Sequence, residues 1–124
     1  MTPPGESQAA PELALDYLSA LSTDIRAGVL LDDSGAVAAH SGCEDDVAGR
    51  FGELALELFS RAQDAADPVI GTVAQVEVTS PDGGVFAVRR GGWVLAVVTG
   101  RFALPSLMFY DLRSVLSDLD GIAA

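Results

Sequence analysis

At 124 residues and 12.8 kDa the chain fits one domain, and about two-thirds of its extended surface can be buried, enough for one core without disulfides or metal. Seven arginines, no lysine and eighteen acidic residues give a net charge of −11, which argues against nucleic-acid binding and against an anionic membrane surface. Hydrophobic residues make up 49% of the chain, high for its size, so some apolar surface is expected to be covered by a partner.

Residues 1–10, with Pro3, Pro4 and Gly5, read as a flexible tail, leaving 11–124 as a single domain. Pro11 suits a first helical turn, and Leu13, Tyr17, Leu18 and Leu21 recur at helical spacing, so a helix is expected over 11–23. The run "AGVLLD" (27–32) is apolar throughout and predicts a buried central strand, with a weaker strand at 36–41. Asp32, Asp33, Ser34 and Gly35 between them suit a hairpin turn, whereas a calcium loop would need oxygens where Ala36, Val37 and Ala38 stand.

Acidic Glu44, Asp45 and Asp46 favour the start of a helix over 44–66 that stops before Pro68. Two stripes run along it. Val47, Phe51, Leu54 and Leu58 form one; Ala48, Gly52, Ala55, Leu56 and Phe59 form the other. A helix on one sheet needs one stripe, so the second asks for a second contact, and its small residues would admit another helix. "TVAQVEVTS" (72–80) alternates, with Ala74, Val76 and Val78 on one side and Gln75, Glu77 and Thr79 on the other. A turn at "PDGG", a strand at 85–90, a "GG" hairpin and an apolar, central strand at 93–99 follow. Pro105 opens a last helix with Met108, Leu112, Val115 and Leu119 on one face and Gly121 past its end. The expected fold is α+β: a five-stranded antiparallel sheet with helices on both faces, in the order α-β-β-α-β-β-β-α.

Chemical signatures are sparse. No phosphate-binding glycine loop is present, and without lysine no P-loop can be built. His40 and Cys43 supply two zinc ligands at most where a structural site takes four, and no G-x-S-x-G elbow exists for His40 to serve. Arg89 and Arg90 read as an exposed charged end beside a hairpin. No catalytic residue, cofactor or metal is expected. The single cysteine, Cys43, suits a reducing compartment, and "MTPPGESQAAPE" shows neither a basic nor an apolar leader region, so a cytoplasmic protein is expected. The lysine-free, Ala- and Gly-rich composition suggests a bacterial, high-G+C source.

In order, these elements resemble the Roadblock / dynein light chain domain family, whose fold is profilin-like. "AGVLLDDSGAVAAHSG" is similar to its opening hairpin, "DDVAGRFGELALELFSRAQDAA" to its Ala-rich central helix, and "GGWVLAVVTGRFALPSLMFYDLRSVLSDL" to its final strand and helix. The likeness spans about residues 13–119 and lies in the order of elements, not in a catalytic signature. It implies a small, non-enzymatic homodimer, joined through the third strand and central helix. It also implies a small Ras-like GTPase as partner, with a sensor-kinase-like protein as a further one. The strong acidity is not a family rule.

The residues support the same assembly. An unblocked edge strand invites pairing, and "VAQVEVT" carries no proline or lysine and one charge, Glu77. The expected dimer interface is therefore Ala48, Gly52, Ala55, Leu56 and Phe59 of the helix with Gln75, Val76, Glu77 and Val78 of the strand, burying about 1,600 Å². The alternative is an acidic dimeric secretion chaperone; there three strands usually precede the middle helix, whereas two do here.

Overall fold

The computed structural model describes residues 4–67 and 69–123, and the side chains of residues 10–67 and 69–119. Three helices and five strands follow the expected order: α1 (Pro4–Leu21), β1 (Ile25–Leu31), β2 (Val37–Ser41), α2 (Asp45–Ala66), β3 (Gln75–Ser80), β4 (Gly83–Arg90), β5 (Trp93–Gly100) and α3 (Pro105–Ala123). The strands form one antiparallel sheet in the order β2-β1-β5-β4-β3, which leaves β2 and β3 at the edges.

Helices cover both faces, and this accounts for the continuous apolar runs of β1 and β5. Leu30, Leu95 and Val97 face α1 and α3, in a core with Leu15, Leu18, Phe86, Phe109 and Leu112. Val29, Leu31, Val94 and Ala96 face α2, in a second core with Phe51, Ala55, Phe59 and Ala87. A strand buried on both sides has no polar positions to alternate with. The Phe86 and Phe109 rings meet edge-to-face at 5.4 Å.

The β1–β2 link is the hairpin turn expected from "DDSG". Asp32 Oδ1 accepts hydrogen bonds from the Ser34 amide (2.9 Å), the Ser34 hydroxyl (2.6 Å) and the Ala36 amide (3.1 Å), while Gly35 takes φ +85°. The carboxylate is thus engaged within its own turn.

Several boundaries and faces differ from the sequence expectation. Helix α1 starts at Pro4, so the segment read as a tail is helical from there, and residues 1–3 lie outside the described residues. Pro11 sits inside the helix. Its buried stripe is Pro11, Leu15 and Leu18, whereas Leu13, Tyr17 and Leu21, expected to face inward, are exposed. Hydrophobic spacing marked a helix there but two rows compete, and contact with β2 and α3 selects the row. Strand β3 starts at Gln75, not at 72, because side chains take the backbone groups of Val73 out of the ladder. Helix α3 continues through Gly121 to Ala123; a lone glycine weakens a helix by roughly 1 kcal/mol without stopping it.

Candidate functional site

Helix α2 begins just after β2 ends, with Asp45 and Asp46 in its first turn at the positive end of the helix dipole. It ends over the start of β3. It therefore crosses the sheet diagonally and leaves one corner open, where β3 ends and β4 begins. That corner holds a shallow hollow of about 270 Å³ lined by Val78, Gly83, Gly84, Val85 and Val98, with Arg26 at its rim. Val76 and Val78 pair with Ala87 and Val85, so both valines point to the α2 side, as the alternation predicts. Among the described residues no strand pairs with the outer side of β3.

The α2 stripes exchange the roles expected of them except at two positions, Phe51, which is buried in the core, and Leu56, which is exposed. Ala48, Gly52, Ala55 and Phe59 are buried against the chain's own sheet and are not partner-facing. A Cβ on Gly52 would stand 3.0 Å from Leu31 Cδ2, so the glycine lets the helix approach bulky β1. The small residues accommodate the sheet beneath them, not a second helix. Leu56 lies on the flank next to the β1–β2 turn, its Cδ1 3.1 Å from where a Cβ on Gly35 would be. It too points away from β3.

Val47, Leu54 and Leu58 instead form an outer flank. At 100° per residue they fall within an arc of about 40°. Val47 and Leu54 are exposed and Leu58 is half-buried, while Phe51 beside them is tucked inward. Leu31, Val37 and Gly35 lie against the opposite side of α2, so this flank looks towards the open corner and β3. Of the strand residues, Val76 is half-buried and Val78 is 46% exposed on that same side. Glu77 is exposed on the other face, and Gln75 accepts a hydrogen bond from Arg113 of α3 at 2.9 Å. The apolar surface beside this corner is thus exposed Val47, Leu54 and Val78 with half-buried Leu58 and Val76.

Arg89 is a clamp, not an exposed charged end. Its Nε donates to the Val73 carbonyl (2.6 Å) and Nη2 to Gln63 Oε1 (2.7 Å), and its guanidinium lies 4.8 Å from the Phe59 ring centre. Gln63 also accepts from the Val73 amide and donates to the Gly71 carbonyl. This knot fixes the α2–β3 connection and so the position of the β3 edge. Nothing in the spacing of residues 63, 73 and 89 signals it.

The polar residues weighed for chemistry do not converge. His40 Nε2 donates to Asp45 Oδ1 (2.7 Å) at the start of α2, and His40 Nδ1 is buried without a hydrogen-bond partner among the described residues. Burial pushes the Cys43 thiol above its ordinary value, reinforced by the charges of Glu44, Asp45 and Asp46, so it stays protonated and a poor nucleophile at neutral pH. Among the described residues no group of three or more His, Cys, Asp or Glu is placed to hold a metal ion. No described helix is long and apolar enough to cross a membrane.

No family model matches the sequence, and no curated protein matches it. Solved structures do. A Roadblock/LC7 domain from Streptomyces avermitilis is 25% identical, with 87% of this chain and 92% of that one covered and a TM-score of 0.79. The gliding protein MglB from Thermus thermophilus is 15% identical, with 99% and 93% covered and a TM-score of 0.81. An MglB with a tetrameric arrangement is 18% identical, with 93% and 90% covered and a TM-score of 0.76. With TM-scores of 0.76 to 0.81 over most of both chains, one five-stranded antiparallel sheet and helices on both of its faces, the chain has the fold of the Roadblock/LC7 domains.

Proposed function

We propose that this chain is a non-enzymatic, cytoplasmic regulatory module that forms a homodimer and modulates a small Ras-like GTPase. The observation that carries the reading is the bare apolar flank of α2 beside the open β3 edge. A two-fold axis at that edge pairs β3 with its copy, satisfies its free backbone groups and brings the two outer flanks of α2 together. The interface of this dimer is Val47, Leu54 and Leu58 with Gln75, Val76, Glu77 and Val78. The similarity to an MglB of tetrameric arrangement supports self-association through this fold.

The GTPase partner rests on the resemblance to bacterial members of the fold. Its conformation would be biased by differential affinity of the dimer for the two nucleotide states. The test is a fluorescence-anisotropy titration of the dimer against the small GTPase of the source organism, loaded with GDP or with a non-hydrolysable GTP analogue. Unequal affinities for the two states support the proposal. Equal affinities, or no binding by a verified dimer, reject the regulatory reading.

A further inference from the structure

A second apolar surface lies on the opposite face of the sheet. Ile25 pairs with Thr99, so β1 starts where β5 ends. The C-terminus of α1 and the N-terminus of α3 therefore share one end of the sheet, and the two helices run antiparallel. Between them runs a groove of about 210 Å³ lined by Ala10, Leu13, Ala14, Tyr17, Val115 and Leu119, with Asp118 on its wall. Leu13 is 64% and Tyr17 56% exposed, and Leu21, Leu104, Leu107 and Tyr110 also stand out in solvent. An apolar surface of this extent on a small domain marks a contact site.

We infer that this groove docks a basic amphipathic helix of another protein. Two antiparallel helices present a furrow that a third helix fills by ridge-in-groove packing. From Ala10 to Tyr17 the furrow is about 10 Å long at 1.5 Å per residue, which suits about two helical turns. The charges select the occupant. Asp111 and Asp118 are seven residues apart, two turns along one side of α3 and about 10 Å from each other. Arg113, the one cation among the described residues of α1 and α3, is turned to Gln75 on the β3 side. The occupant therefore carries apolar anchors at helical spacing and, beside them, lysine or arginine residues seven apart to meet the two aspartates.

The same charges disfavour other occupants. An isologous contact with a second copy would bring each aspartate pair near its own image, in a chain of net charge −11. An anionic lipid surface is repelled for the same reason. The groove lies on the face opposite α2, so it stays open in the proposed dimer and does not depend on it.

The probe is a labelled 18-residue helical peptide of leucine and lysine, its lysines spaced by seven, with a glutamate-for-lysine peptide as control. Fluorescence anisotropy is expected to show saturable binding, one peptide per protomer, for the lysine peptide only. Leu13→Ser, at an exposed position, weakens it roughly tenfold. Asp118→Asn weakens it about threefold and flattens the salt dependence. Leu54→Asp, on the opposite face, leaves it unchanged, and amide shifts concentrate in α1 and α3. Equal binding of both peptides, or indifference to Leu13→Ser, overturns the inference. So does a fall in assembly mass for the Leu13→Ser protein, which would make the groove a contact between copies.

Discussion

Leu54 and Ala55 are neighbours in sequence and opposites in structure, and replacing each by aspartate separates the outer flank of α2 from its inner stripe. Leu54 is 45% exposed in the protomer. Full burial of a leucine contributes about 1.5–3 kcal/mol, so the uncovered share is worth about 0.7–1.4 kcal/mol per copy, and twice that in a two-fold dimer. An unpaired carboxylate in the desolvated interface adds several kcal/mol. A total near 4 kcal/mol weakens a dimer by about a thousandfold. Ala55 is fully buried against the sheet, and a charge there costs about 3–5 kcal/mol of folding stability. Light scattering at micromolar concentration, paired with thermal melting by circular dichroism, reads both effects. Wild type is expected at twice 12.8 kDa. Leu54→Asp is expected at 12.8 kDa with a cooperative melt. Ala55→Asp, and Phe59→Asp for the same reason, unfold and do not merely separate. A Leu54→Asp protein that keeps the wild-type mass would refute the argument, because the flank would then be bare in the assembly too.

Arg89→Ala removes the clamp between α2 and the start of β3, and the two charged hydrogen bonds and the contact with Phe59 together predict a loss of about 2 kcal/mol in urea unfolding. Arg89→Lys does not rescue it, since a point charge cannot span the Val73 carbonyl and Gln63 as a planar fork does; full rescue would show that charge alone matters. Donation from the Ser34 hydroxyl, against a raising effect of burial and with help from backbone amides, holds the Asp32 carboxyl below its ordinary 3.8. Its contribution to stability is therefore complete above that value and vanishes as pH falls through the lower, folded-state value. Asp32→Asn is expected to melt below wild type at pH 7 and to converge with it as the carboxyl protonates in strong acid; a constant gap would count against the turn as the cause.

Much of the architecture is legible in one dimension because each element carries a local signal. The continuous apolar runs of β1 and β5 announce burial on both sides, the alternation of β3 fixes which valines share a face, and Asp32 with Gly35 dictates a tight turn whatever surrounds it. Met108, Leu112, Val115 and Leu119 likewise name the buried face of α3.

What the sequence leaves undetermined is which of two competing stripes meets the sheet. Both rows of α2 are apolar, and a helical wheel is indifferent to rotation. Leu31 beneath Gly52 decides the matter, because only the small row lets the helix approach β1. The same holds for α1, where Leu15 and Leu18 win and Leu13 and Tyr17 are left outside. The knot of Gln63, Val73 and Arg89 is likewise a product of three distant segments meeting. Local chemistry writes the elements and their order, but the rotation of each helix, and hence the surface a partner can reach, is set by steric fit between elements far apart in the chain.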